Sequence, residues 1–456
     1  MKKKVIAALL ATAMVTTALA GCTTNTNTGG TNATEAVTEE VAGEEAADEE
    51  AQDTEAKAER PDGEEVVLRV ALWDYTNVSY YKEIFEAFEQ ENPGIKVEAV
   101  ESPADQHEDL IKVKLAAKEN LDVIFTKGSE TMDVLVREGH ILQLDDYMDT
   151  SETYNQDAYG GLVEAMEVDG GRYSIPFRKD NWIIYYNKDL FDAANVEYPV
   201  DGMTIEEYRE LAKEMTSGEG VDKVYGAHVH TWRQGAINHL VRTGEFTHDG
   251  DDFANIIPYY ETILTMQNDD KSIMDFGSLR ASSTHYSGVF YNQQAAMLSM
   301  GTWFINMLLE NADFNWGVVS LPHNDGIGNT QAVGGLVPVG VGAYAAHPEE
   351  AWKLTQFITG QKAATILAEM GILAGYTDAA IGEVFDSLPA KYPETPEGLS
   401  QYVVLDKYIM ETPVIEKAAE INEIIEEQHG LILTNSVTAE DGIRELQERV
   451  DNLLGK

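Results

Sequence analysis

From Val66 to Gly139 the hydrophobic pattern alternates between two periods, and that alternation restricts the fold more than anything else in the chain. Val66–Trp73 (VVLRVALW) is an apolar, β-branched run and reads as a strand. Tyr81, Ile84, Phe85 and Phe88 follow at helical spacing, closed by Pro93-Gly94. Ile95–Val100 alternates as a second strand. Leu110, Ile111, Val113, Leu115 and Ala116 return to the helical period. Asp122–Phe125 is a short buried strand, and Met132–Glu138 is helical up to Gly139. Strand and helix in strict alternation build a parallel sheet with helical crossovers, so the class is α/β. A second set begins after Gly170-Gly171. Trp182–Tyr186, Tyr225–His230, Ala295–Met300 and Trp316–Leu321 read as strands. Thr204–Thr216 reads as a helix with Thr204 as N-cap and Glu207 as its capping-box partner. Phe253–Gln267 is helical with a kink or break expected at Pro258, and Glu349–Thr359, Gln361–Met370 and Ala439–Leu454 are helices.

Two such sets fit a length of 456 residues, since domains run to roughly 100–200 residues each. The charge balance excludes several partners. Against 79 acidic residues stand 32 Lys and Arg, a net charge of −47. Such a surface repels nucleic-acid phosphate and anionic lipid. A single cysteine excludes an internal disulfide, a cysteine-built zinc site and an iron–sulfur cluster.

That cysteine has a place of its own. Lys2, Lys3 and Lys4 precede an apolar run from Val5 to Ala20, which has the length and flanks of a secretory signal. It ends Leu19-Ala20-Gly21-Cys22, which resembles the lipobox of bacterial lipoproteins. The resemblance implies cleavage before Cys22, acylation of Cys22 and anchoring by several acyl chains. Residues 23–65 hold 14 acidic and 2 basic residues and almost no large apolar ones. They read as a disordered, self-repelling tether. Without the leader and the tether, Val66–Lys456 still carries −38.

The landmarks of the folded part line up in order. They are Glu91-Asn92-Pro93-Gly94-Ile95-Lys96-Val97, Asp122-Val123-Ile124-Phe125, Gly139 to Tyr147, Asp169-Gly170-Gly171-Arg172-Tyr173-Ser174-Ile175-Pro176, Tyr186-Asn187-Lys188-Asp189-Leu190-Phe191, Gly301-Thr302-Trp303, Leu321-Pro322 and Glu350-Ala351-Trp352. From about Val66 to the C-terminus the chain resembles the extracellular solute-binding proteins of the maltose-binding type. The resemblance implies a two-lobed, periplasmic-binding-protein-like clamp of type II with three interlobe crossovers. It places them near Ser174–Phe177, Met297–Ser299 and Gly342–Ala345. Lobe one is then 66–173 with 300–341, and lobe two 178–296 with 346–456.

Open α/β sheets bind ligands at the carboxyl ends of their strands. That rule selects Trp73 and Asp74, then Lys127 and Ser129, then Trp232 and Arg233. A sugar offers apolar C–H faces ringed by hydroxyls, and suits flat aromatic rings with planar polar groups at their edges. From the resemblance come Asp180, four residues after Pro176, and Trp303 of the Gly-x-Trp motif, expected to stack on sugar. Arg178 and Asn181 flank Asp180 and are ligand candidates, although hinge polar groups often bind backbone. Gly334 and Gly335 would let backbone approach a ligand or simply permit a turn. Tyr376 matches a segment that lines the cleft in the family. Trp73 could instead be a core aromatic ending its strand, while Trp316 and Trp352, on periodic apolar faces, are core.

Other signals are declined. His228 and His230 share a strand face but lack a third ligand. Asp249-Gly250-Asp251-Asp252 lacks the calcium-loop pattern. Gly334-Gly335 has no phosphate-loop lysine after it, and Ser282-Ser283 with His285 has no nucleophile elbow. No catalytic set, cofactor or metal is expected. The reading is a monomeric lipoprotein on the outer face of a cell membrane of Gram-positive type, touching the membrane through its lipid alone. It takes a sugar or oligosaccharide to the permease of an ABC importer. The alternatives are a tethered carbohydrate-active enzyme, which needs two carboxylates facing each other across the cleft, and the same fold holding a non-sugar solute.

Overall fold

The computed structural model describes residues 65–405 and 407–456. Cys22, the leader and the tether up to residue 64 lie outside the described residues. Eleven strands occur among those described. In chain order they are β1 (Val66–Trp73), β2 (Ile95–Ser102), β3 (Val123–Phe125), β4 (Ser174–Lys179), β5 (Trp182–Asn187), β6 (Tyr225–His228), β7 (Ala295–Gly301), β8 (Trp316–Ser320), β9 (Ala332–Gly334), β10 (Leu336–Val341) and β11 (Tyr408–Met410).

They form two main sheets. The first has the order β2-β1-β3-β10-β4, and the second β6-β7-β5-β8. β1 lies parallel to β2 and β3, as strand–helix alternation requires. Helices cover both faces of the first sheet. Leu68, Val70 and Leu72 look to Ile84, Phe85 and Phe88 of the helix Tyr80–Glu91. Ala71 and Ile124 look the other way, to Ile111, Leu115, Met132 and Leu135. A sheet buried on both faces explains why β1 reads as a nearly continuous apolar run. Trp316 and Trp352 are core, as expected.

The chain crosses between the sheets three times, but not at the expected places. The first crossing is the Asp180-Asn181 step between β4 and β5. The second follows β8 rather than interrupting β7. All of β7 pairs with β5, and Trp316–Ser320 pairs antiparallel with the other edge of β5. Residues 300–320 therefore belong to lobe two and not to lobe one. The third lies beyond Met370 instead of at Gly342–Ala345. Helices Pro348–Thr359 and Gln361–Glu369 both pack on the helix Tyr80–Glu91, the first of them also on β4 and β10, whereas Ser400–Val403 packs on β8. The physical reason is that β7 and β8 are apolar on both faces. Such strands carry no period that tells which sheet they join.

The local signals held better. Thr204 and Glu207 form a reciprocal capping box at the start of the helix Ile205–Met215, with Glu207 N–H donating to Thr204 Oγ1 at 3.1 Å and Thr204 N–H to Glu207 Oε2 at 2.7 Å. Thr204→Ala lowers the unfolding free energy by about 1 kcal/mol, read as a shift in urea midpoint at constant slope. Pro258 makes no kink. It falls in the first turn of the helix Ile257–Asn268, where its missing N–H would have no partner anyway.

Candidate functional site

The strand directions converge on the crossings. β10 runs antiparallel to both β3 and β4, so β1, β3 and β4 end at one edge of the first sheet. In the second sheet β6 and β7 are parallel and β7 is antiparallel to β5, so their carboxyl ends lie beside the start of β5. The crossing at Asp180-Asn181 joins those two edges. Trp73-Asp74, Thr126–Ser129, Arg178–Asp180, Trp182, Thr231–Arg233 and Thr302-Trp303 therefore sit where the lobes meet.

On the lobe-two side the indoles gather. The ring centroids of Trp303 and Trp232 are 6.1 Å apart. Trp182 stands edge-on to both, at 5.6 and 6.4 Å, with interplanar angles of 84° and 81°. Tyr286 adds a fourth ring 5.7 Å from Trp232, and its hydroxyl accepts Trp303 Nε1–H at 3.0 Å. The Gly-x-Trp motif has a steric cause. A Cβ at Gly301 would lie 1.8 Å from Cζ3 of Trp303, so the indole folds back over a position that only glycine leaves open. Trp182 pairs directly with Gly301 across β5 and β7, which sets the two indoles side by side. Trp232 keeps 37% of its surface exposed, although large apolar side chains are usually covered.

Polar groups lie beside the rings. Asp180 is buried, and burial pushes its carboxyl up to about 6, partly opposed by the Arg178 guanidinium. A backbone N–H of Trp303 also binds it. Arg178 donates from Nη1 to Tyr80 Oη at 3.0 Å, and its buried Nε has no hydrogen-bond partner among the described residues. Burial draws the Lys179 ammonium down to about 8. Arg233, almost wholly buried, donates to Thr412 Oγ1 at 3.2 Å and faces Glu426 at 3.4 Å, while its Nη1 has no hydrogen-bond partner among the described residues.

The remaining candidates have other duties. Trp73 is buried, 4.9 Å from the His107 ring and with Lys127 Nζ 5.5 Å from its centroid. Asp74 adopts a left-handed conformation (φ 56°) and caps the following turn through its carbonyl, which accepts the N–H groups of Asn77 and Val78. Lys127 donates to Ala104 O. Ser129 donates to Thr412 O at 3.1 Å. Asn181 clasps three parts of the chain. Its Nδ2 donates to Tyr402 O, its Oδ1 accepts Val333 N–H, and its own N–H goes to Thr302 Oγ1. Gly334 is glycine because a Cβ would lie 1.8 Å from Asp180 O. Gly335 lies beside the carboxylate of Glu411. Tyr376 stands edge-on to Tyr159 in lobe one, apart from the indoles.

Sequence reasoning passed over Trp182, Tyr286 and Glu411. The neighbours Asp180-Asn181 flagged Trp182, but its strong strand context hid it. Nothing around Glu411 marks it. It follows β11, and its carboxylate accepts N–H groups from Trp182 Nε1 and Asn238 Nδ2 at 3.1 Å each and from Gln234 Nε2 at 3.2 Å.

Two sets of side chains invite a metal reading, and neither supports one. His228 Nε2 and His230 Nδ1 are 3.4 Å apart, and burial holds both rings neutral, at about 3 and about 4. Glu245, His323 and Asp325 form a group of three. There Nδ1 of His323 accepts the Asp325 N–H at 3.1 Å, so Nε2 carries the proton and donates to Glu245 at 2.9 Å. No ring lone pair is left for a cation.

The profile of the bacterial extracellular solute-binding proteins matches residues 73–365. The chain belongs to that family. This solute-binding protein is 32% identical to a sugar transporter of Rhizobium etli solved in an open conformation, over 85% of this chain and 99% of that one, with a TM-score of 0.73. A Listeria monocytogenes ABC substrate-binding protein in complex with cycloalternan shares the fold at 20% identity, over 86% of this chain and 100% of that one, with a TM-score of 0.73. Among curated relatives, the galactooligosaccharide-binding protein of Bacillus subtilis is 24% identical over 62% of this chain and 66% of its own length. A binding protein of Brucella abortus is 30% identical over 31% of this chain, and the match spans about a third of that relative, 34%. The fold is the two-lobed mixed α/β architecture of its structural neighbours. Among the described residues no helix is long and apolar enough to cross a membrane.

Proposed function

We propose that this solute-binding protein captures a neutral oligosaccharide between its lobes and delivers it to the permease of an ABC importer. The observation that carries the reading is the cluster of Trp182, Trp232, Trp303 and Tyr286 at the lobe crossing, with buried Asp180 and Arg178 beside it. Flat rings suit the C–H faces of a sugar. The carboxylate and guanidinium suit its hydroxyls, with bonds that are stronger for being charge-assisted and desolvated. The named relatives support the same class: one is a sugar transporter, another binds galactooligosaccharide.

In this reading the protein is a receptor and not an enzyme. Asp180 and Glu411 are both engaged by N–H donors, and neither is offered as an acid or nucleophile. Ligand that touches both lobes binds the closed form better, and that difference drives closure. The protein acts as a monomer, tethered through acylated Cys22 to the outer face of a membrane of Gram-positive type.

Titration calorimetry of the folded part against a panel of mono- and oligosaccharides tests the proposal. The expected result is a one-to-one isotherm with at least one neutral oligosaccharide and no heat with amino acids, peptides or phosphorylated polyols. Silence across every sugar would overturn it.

A further inference from the structure

We propose that Glu411 is a positioning residue for ligand recognition: from the third chain crossing it holds the aromatic platform of lobe two in its gripping arrangement. This rests on the reading that the indole cluster takes the sugar.

Glu411 is anchored through its backbone. Its N–H donates to Gly334 O at 2.9 Å, and the strand before it, β11, pairs with β9. From that base its carboxylate reaches three donors of lobe two. One is the indole N–H of Trp182, the ring that stands edge-on to both Trp303 and Trp232. The other two are side-chain amides one turn apart on the helix Gln234–Val241, which opens directly after Trp232-Arg233. A carboxylate offers about four lone-pair sites and no proton, so it accepts all three N–H groups at once. It also decides which way the amides face. With both nitrogens turned to Glu411, Oε1 of Gln234 and Oδ1 of Asn238 are buried without a protein partner. Buried acceptors of that kind suit a donor brought by a ligand, such as a hydroxyl. The strand thus joins the crossing to the stacking surface through one side chain.

Glutamine at 411 keeps the shape and loses the function. It presents one oxygen and a donor amino group, so at least one of the three N–H groups loses its acceptor, and the amides of Gln234 and Asn238 are free to turn over. With the oligosaccharide found in the panel, Glu411→Gln weakens binding about tenfold. In a Trp182→Phe background it weakens binding by clearly less than the tenfold it costs alone, because one of the three N–H groups through which it acts is already gone. Affinity within about twofold of the native protein, or effects that multiply in full, overturns the inference. Should the native protein bind no sugar, the proposed function fails alone and the indole N–H resonances still decide. Movement of the Trp182, Trp232 and Trp303 signals together in Glu411→Gln supports the positioning role. An unmoved Trp182 signal, or movement confined to Trp182, overturns it.

Discussion

Acidification from pH 7 to about 5.5 lowers the unfolding free energy of the folded part by about 3 to 4 kcal/mol. Buried histidines are the cause: four lie deepest in the interior, and His230, held at about 4 by burial, acts in the same sense. His228, His239, His248 and His429 are 1%, 4%, 1% and 1% exposed. Burial holds their rings down to about 3, 4, 3 and 3. Polar contacts do not offset it: His239 has a carbonyl oxygen on each ring nitrogen, at 2.8 and 3.2 Å, and stays low. Unfolded, each ring takes a proton near the ordinary 6.5; folded, it does not until pH 3 to 4. The stability these rings contribute is therefore present above pH 6.5 and is lost as pH falls below it. Each contributes about 1.2 kcal/mol of loss over the interval. Asp180 works in the opposite sense. Its folded carboxyl takes a proton near 6, well above the unfolded 3.8, so protonation returns about 1 kcal/mol. Glu130 and Glu426, also raised by burial, act in the same direction as Asp180. Since a domain holds only roughly 5–15 kcal/mol in all, the loss is large. Urea midpoints at the two pH values measure it, and a midpoint that does not move would refute the account. His429→Gln should remove about one proton from the slope.

Trp303→Ala weakens oligosaccharide binding about 100-fold, the largest single-residue effect expected in the site. Trp303 is half-buried and stands at the centre of the cluster, within 6.1 Å of both Trp182 and Trp232, with its N–H fixed on Tyr286. The loss combines the stacked area with the disorder left among the neighbouring rings. Trp303→Phe keeps a flat ring and loses part of the stacking area together with the N–H bond to Tyr286, so it costs about tenfold. Gly301→Val separates the presence of the indole from its placement. The ring remains, but a side chain now occupies the space it fills, and affinity falls as far as in the alanine variant. Calorimetry with the native ligand reads all three. A Gly301→Val protein that binds normally would show that the seat of the ring is immaterial.

The fold and the site were legible to different depths. Parallel pairing of β1 with β2 and β3 follows from the alternation of periods alone, and Thr204 with Glu207 declares a helix start in four residues. The lobe boundaries were not legible, because Ala295–Gly301 and Trp316–Ser320 are mostly apolar, buried along their whole length, and give no hint of which edge they join. Trp232 and Trp303 were visible as exposed or motif-borne indoles. Trp182 looked like a core strand residue, and indeed is buried. Its place in the site depends on its register opposite Gly301, which no single segment reveals. Glu411 lies 229 residues from Trp182 in the chain. Contacts of that range leave no local trace.

Asn181 carries a mechanical consequence. Its side chain holds Val333 from the second passage and Tyr402 from the third, while it stands in the first itself. Three separate threads are thereby tied at one pivot. A swing of one half against the other that turns about that amide keeps those bonds, whereas a sliding displacement would break them.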